Sequence, residues 1–449
     1  MPENARIIPA RQTGCVIPDR QHDCVMDLAV VGSGLAGLAA SVYAVNRGIN
    51  VARVGSTGSL AYTTGYLDLL GASLDDCRAF YAEPREGLLS LTERFPEHPY
   101  AKLPFAHIET AFREFLACLA EAGLPYVCEG NNLVALSPMG TLKSTYAVPA
   151  TMLAGTQAYT SRTPCLLVDF VGLKAFSAKG IAEVLKPVWP EITPVSLRFP
   201  DLEWAGELYP EAMARCLEVP AAREALAASI KPHIGNARSV GLPAVLGIYN
   251  SAAVQEHMAE LLGVPVFEIP TLPPGVPGIR LRENVDDVLR GKGVTLFAQR
   301  YVFAIRQERQ EGQAKGLFHI DIGENAPEFT LSAKNLILAT GRFLSGGLLA
   351  DRIRGVSEPL LHLPVKAPEN RVFWHKEDYF DHQGHPLNRA GIVVDRDFRP
   401  LDASGAPVAP NLYAAGSILA DQDWVREKSG AGIALASALR AVESMAMGK

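Results

Sequence analysis

Asp27-Leu-Ala-Val-Val31 is a short apolar run that passes directly into Gly32-Ser33-Gly34-Leu35-Ala36-Gly37, a G-x-G-x-x-G turn. A helical stretch from Leu35 to Arg47 follows, Gly48 closes it, and Ile49 to Val54 reads as the next strand. The first glycine permits a tight turn, the second lets backbone approach a pyrophosphate, and the third lets helix and strand pack closely. Unpaired N–H groups and the dipole at the helix start then form an anion site. The expectation is an α/β fold with a Rossmann-type unit, in which Gly32, Ser33, Gly34, Leu35, Ala36 and Gly37 contact the cofactor. A bare glycine turn is the alternative, and the strand–turn–helix–strand order argues against it.

Such units carry an acidic residue about 20 positions beyond the glycines, where it meets an adenosine ribose. This chain reads Arg53-Val54-Gly55-Ser56 there. Either a mononucleotide is bound, or the ribose is met by backbone or by Ser56.

At 449 residues the chain exceeds one ordinary core. With 48% apolar and 20% charged residues it reads as a soluble globular protein. A net charge of −6 argues against a nucleic-acid partner. No apolar run approaches the roughly 18–20 residues that span a bilayer, so no direct membrane span is expected. The seven cysteines are scattered without a C-x-x-C pair, so neither a zinc site nor an iron–sulfur cluster is expected. An odd cysteine count without an export signal fits a reducing cytoplasm. Residues 1–25 read as a disordered arm, or as the product of an early start codon, because Met26 stands directly before the first strand.

Two later segments favour a flavin over a nicotinamide. Leu336-Ile-Leu-Ala-Thr340-Gly341 follows a stretch, Val294 to Leu331, that suits an antiparallel meander. Asn411-Leu-Tyr-Ala-Ala-Gly416-Ser417 precedes a glycine-bearing helix start, Gly430-Ala431-Gly432. This order resembles the flavoproteins with two dinucleotide-binding domains. The resemblance implies that Thr340, Gly341, Gly416 and Ser417 lie by the cofactor, and that the helix from Gly430 points its positive end at the flavin. Ser417 stands where such proteins usually carry an acid.

Gly58 to Leu70, Pro270-Thr-Leu-Pro-Pro-Gly-Val-Pro-Gly-Ile-Arg-Leu281 and Gly341 to Leu348 resemble one family more closely, the B subunits of anaerobic glycerol-3-phosphate dehydrogenases. The resemblance runs from Asp27 to about Ala441 and implies FMN, with FAD as the alternative. It also implies oxidation of sn-glycerol 3-phosphate to dihydroxyacetone phosphate. Its implied partners are a second flavoprotein (the A subunit) and a membrane-anchored iron–sulfur protein (the C subunit), which would hold the chain at the cytoplasmic face of the inner membrane. Thr63, Thr64 and Gly65 then fall where this layout reaches the flavin ring.

The expected architecture is a flavin-binding domain at 26–150 and 332–449, interrupted by an inserted α+β domain at 151–331. Arg280 and Arg342, among Arg282, Arg352 and Arg354, are candidate donors to a phosphate substrate. His385, in a loop with His375 and His382, is a candidate proton acceptor. His382-x-x-His385 has metal-ligand spacing, but a polar loop that collects histidines accounts for it, and no metal is expected. Two rivals stand beside this reading: a stand-alone oxidoreductase of fumarate-reductase type, and a non-catalytic relay or scaffold protein.

Overall fold

The structure is a computed structural model that describes residues 25–56, 58–73, 79–202, 206–308 and 315–447. Residues 1–24 of the expected arm lie outside the described residues.

Strand β1 (Leu28–Val31) is buried at every position and leads through the glycine turn into helix α1 (Leu35–Asn46) and strand β2 (Val51–Gly55). Helix α2 (Phe105–Glu121) buries Ile108, Ala111, Phe112 and Phe115 and lies against α1, whose Tyr43 hydroxyl donates to Ala111 O at 2.7 Å. A second body follows, with β3 (Cys165–Phe170), β4 (Ile192–Leu197), β5 (Ser239–Pro243) and β6 (Val266–Ile269). These four strands pair in parallel in the order β6-β5-β3-β4. Helix α3 (Val276–Gly291) then leads to β7 (Thr295–Ala298) and to an antiparallel meander of β8 (Tyr301–Glu308), β9 (Leu317–Gly323) and β10 (Pro327–Ala333). The chain closes with β11 (Leu336–Leu338), β12 (Leu412–Ala414) and helix α4 (Gly430–Met447).

The first sheet has the order β7-β2-β1-β11-β12 and is parallel throughout. Strands β1 and β11 at its centre are apolar and buried at every position, as parallel central strands are. The expected insertion from 151 to 331 needs correcting at its end. Leu281, Val285 and Leu289 of α3, Leu296 and Phe297 of β7, and Phe318 to Leu331 of the meander all belong to the first core. The second core runs from Leu136 to Val276. The physical reason is α3, which carries the chain back so that β7 can pair with β2. The inserted body was expected to be α+β, but its four strands pair in parallel with helices between them.

Candidate functional site

Gly32 has a φ of +122°, and a Cβ there would overlap the Ala339 carbonyl. A Cβ at Gly37 would overlap the Gly32 carbonyl, which is the close helix–strand approach expected of the third glycine. Gly34 is different. It is the N-cap of α1 with extended backbone and no side-chain cap, and the nearest atom to an added Cβ is Ser59 Oγ at 3.7 Å. Space therefore opens in front of the helix start, whose first N–H groups lack intrahelical partners. Gly32 to Leu35 form the half-buried lip of that space.

At the end of β2, a Cβ on Gly55 would lie 2.7 Å from the Ser33 nitrogen, so a side chain at 55 has no room to turn toward a ribose. Arg53 points the other way and forms a buried ion pair with Asp286 of α3. Ser56 is half-buried and is the first side chain free to meet a ligand at this strand end.

The segments Gly58–Leu70 and Pro270–Leu281 meet. A Cβ on Gly278 would overlap Leu60 O, one on Gly65 would lie 2.9 Å from Pro277 Cβ, and Gly275 N donates to Ala61 O at 3.4 Å. Gly65 itself has a φ of +87°, and its carbonyl accepts from the Tyr126 hydroxyl at 2.7 Å. Thr63 Oγ1 accepts from Gly65 N at 3.1 Å, and Thr64 Oγ1 from Tyr66 N at 3.4 Å. Thr271, Gly275 and Gly278 were not among the expected contacts, although the small residues of the proline-rich string are the signal for such close packing.

Beyond β11, Gly341 has a φ of +72°, and beyond β12 Gly416 has a φ of +82°, with a Cβ position 2.6 Å from Ala36. The Gly416 turn thus closes on the start of α1, and the Ala339–Thr340 backbone ahead of Gly341 closes on Gly32. Thr340 Oγ1 and Thr271 Oγ1 are buried without a hydrogen-bond partner. An open cradle at Gly34 and an orphaned hydroxyl at Thr340 fit a bound dinucleotide-type cofactor.

Residues 27–433 match the family model for the FAD binding domain. The chain belongs to that family. Curated relatives include the B subunit of the anaerobic glycerol-3-phosphate dehydrogenase of Aliivibrio fischeri, 28% identical over 93% of this chain and 95% of the relative. The Yersinia pseudotuberculosis protein of the same name is 29% identical over 93% of this chain and 97% of the relative. Among solved structures, 3-ketosteroid Δ1-dehydrogenase from Sterolibacterium denitrificans is 12% identical, with a TM-score of 0.44 over 95% of this chain and 100% of that one. The cofactor of an FAD-binding-domain protein is a flavin. The family supports FAD, so the sequence preference for FMN finds no support in it.

The candidate substrate residues fare differently from the glycines. Arg280 is buried, and its Nη1 and Nη2 donate to Glu268 at 2.6 and 2.8 Å while Nε donates to Gly247 O at 2.9 Å. Its fork is fully occupied inside the fold, which corrects its expected role as a phosphate donor. Arg342 donates Nε to Ser417 O at 2.6 Å and Nη2 to Leu419 O and Gln422 O at 3.1 and 3.0 Å. Its Nη1 donates to Asn388 O. Burial pushes this guanidinium down to about 10. Arg342 is a strut that ties four backbone carbonyls together, which corrects its expected role as well. His385 accepts from Lys376 N at Nδ1 (3.0 Å) and donates Nε2–H to Tyr379 O at 3.1 Å. Both ring nitrogens are engaged, so it is not a free base. Arg352 and Arg354 are exposed on the hairpin 349–357. Arg282 pairs with Glu283 at 3.1 Å.

At the start of α4 one first-turn N–H is engaged within the fold. Gly432 N donates to Asp68 O at 2.7 Å, and a Cβ on Gly432 would overlap the Tyr100 hydroxyl. Gly430 is half-buried against Trp424, and Ala431 is buried. Just before the helix, buried Glu427 accepts from Asp423 N at 2.7 Å and Ser429 Oγ at 2.8 Å, and it pairs with His98 Nε2 at 3.3 Å. Burial raises its affinity for a proton, but His98 and these donors outweigh burial and hold the carboxyl below its usual range. A lowered folded value stabilises above the unfolded value and is lost as pH falls through the folded one. Glu427→Gln should therefore lower the melting temperature near neutral pH and flatten the acid side of the stability profile. Thermal melts from neutral to acid pH check this, and equal acid slopes for both proteins would refute it.

Proposed function

We propose that this chain is the flavin-bearing B subunit of a respiratory dehydrogenase that oxidises sn-glycerol 3-phosphate to dihydroxyacetone phosphate. Electrons then pass to quinone through a second flavoprotein and a membrane-anchored iron–sulfur protein of the same complex. The observation that carries this reading is the meeting of Gly58–Leu70 and Pro270–Leu281 beside Gly34. Relatives named as the B subunit of such a dehydrogenase, aligned over 93% of the chain, support both the chemistry and a multi-subunit assembly. Among the described residues no helix is long and apolar enough to cross a membrane. A bound flavin supplies a two-electron acceptor for oxidation of a secondary alcohol. This chain's residues would hold it through the glycine turn, Thr340 and the turns at Gly341 and Gly416.

One alternative has an observation behind it. Arg280, Arg342 and His385 are all engaged within the fold, which favours a relay protein whose flavin receives electrons from a partner. An anaerobic titration of the flavin-loaded chain separates the two. The dehydrogenase reading expects sn-glycerol 3-phosphate to bleach the flavin absorption stoichiometrically, while glycerol leaves it unchanged. No bleaching by the phosphate, from a flavin that dithionite reduces fully, would establish the relay reading instead.

A further inference from the structure

A cleft of about 790 Å³ opens beside the segments 366–368, 382–390 and 421–426. None of the expected cofactor residues lines it. Its volume falls in the range of small-molecule sites, on the order of 300–1,000 Å³. The charge of its lining is one-sided. Arg94, Lys366, Lys376, Arg389 and Arg426 face it, and among the described residues Asp421 is the only carboxylate in the lining. Asp421 is already taken by Lys366 at 2.6 Å. Of the nearby acids, Asp378 and Asp381 turn back onto their own loop, accepting from Phe380 N at 3.0 Å and Gln383 N at 2.7 Å, while buried Asp423 accepts from Asn388 Nδ2 at 3.4 Å and lies beside Arg426 behind Gly384.

Phe95 gathers two of these cations, with Arg389 4.5 Å and Arg94 5.4 Å from its ring centroid. Arg426 is oriented by donation to His382 O. Arg389 and Arg426 are half-buried, so both fork-shaped donors are held in place rather than free in solvent. Phe95, Pro368, Pro386 and Ala390 add an apolar wall suited to a short carbon chain.

The cleft is also fixed to the cofactor side of the molecule. Arg342 brackets the carbonyls of Asn388, Leu419 and Gln422, next to the lining residues Arg389 and Asp421, together with that of Ser417 at the β12 turn. Gly391, one residue past Ala390, is pressed so closely on the 418–420 backbone that a Cβ would lie 2.5 Å from Ala420 N.

We propose that this cleft binds a small organic dianion, held by Arg389, Arg426 and Lys376 in the role that Arg280 and Arg342 cannot fill. Phosphate monoesters and dicarboxylates share the required chemistry, two oxyanion charges that accept from guanidinium forks. The proposal stands independently of which substrate the flavin oxidises.

Calorimetric titration of the flavin-loaded protein tests it with four probes: inorganic phosphate, sn-glycerol 3-phosphate, succinate and glycerol. The expected result is saturable binding of at least one dianion and none of glycerol. Arg389→Gln and Arg426→Gln should each weaken that binding at least about tenfold at unchanged melting temperature and flavin content. Arg352→Gln, on the exposed hairpin, should bind as the parent does. The relative strength of phosphate esters and succinate identifies the class. Dianions that bind no better than glycerol, or cleft variants that bind like the parent, would overturn the proposal. Flavin reduction by sn-glycerol 3-phosphate is read separately. If it occurs while the cleft variants bind dianions as the parent does, the dehydrogenase reading survives and the cleft assignment fails. If dianions bind but no substrate reduces the flavin, the reverse holds.

Discussion

Gly34→Val should give a folded chain that purifies without flavin. The backbone at Gly34 has a φ of −73°, which valine adopts readily, and nothing approaches an added Cβ closer than 3.7 Å. The fold therefore tolerates the side chain, and an apoprotein melting temperature close to the parent's is expected. The methyl groups would stand in front of the first turn of α1, where an anionic cofactor would meet the free N–H groups. Flavin occupancy should fall from about one per chain to below about a tenth, a loss exceeding roughly 1.4 kcal/mol. Gly37→Ala supplies the contrast. Its Cβ overlaps the Gly32 carbonyl, so that variant should lose flavin and stability together, by about 1–3 kcal/mol. Absorption spectra and thermal melts of the two variants distinguish the cases, and mass measurement of the released cofactor decides between FAD and FMN. Normal flavin content in Gly34→Val would place the cofactor elsewhere.

These contrasts follow from how the sequence carries its information. The β1–turn–α1–β2 unit was legible because every part of it is local: an apolar run, three spaced glycines, a helical period and a closing glycine. The antiparallel meander appears as expected, with strands at 301–308, 317–323 and 327–333. Strand β7 was not legible. Thr295-Leu-Phe-Ala298 reads like the first strand of the meander, and only its parallel pairing with distant β2 assigns it to the first sheet. The insertion boundary was misplaced for the same reason.

The arginines show a second limit. Arg280 beside a specific motif looks like a ligand donor, yet Glu268 in the buried Val266–Ile269 strand requires a cation, and that acid was the overlooked signal. Arg342 had no such signal, because its four partners are backbone carbonyls that any residue could provide. The cations of the cleft are scattered from Arg94 to Arg426 and form a cluster only once the chain is folded.

Arg280→Ala is expected to be the most damaging single substitution in this chain, and through stability rather than substrate recognition. The Arg280 and Glu268 side chains are 4% and 0% exposed, and the guanidinium fork meets both carboxylate oxygens. Removing one partner of such a pair leaves the other charge buried and costs about 3–5 kcal/mol. Among the described residues, Glu268 would keep only the N–H of Leu246, which donates at 2.7 Å. Arg280→Lys should recover little, since an ammonium cannot donate to both oxygens and to Gly247 O in that fixed geometry. The apolar double replacement Glu268→Leu with Arg280→Met should be less damaging than Arg280→Ala alone, because no buried charge is left unpaired. The pair joins β6 of the second core to α3, which returns to the first and carries the Pro270–Leu281 string onto Gly58–Gly65. Flavin content should therefore decline in proportion to stability across the series. Urea denaturation with flavin quantified in each variant measures both. If Arg280→Ala instead kept full stability and lost only its response to phosphate-bearing probes, Arg280 would be a ligand residue and its pairing with Glu268 incidental.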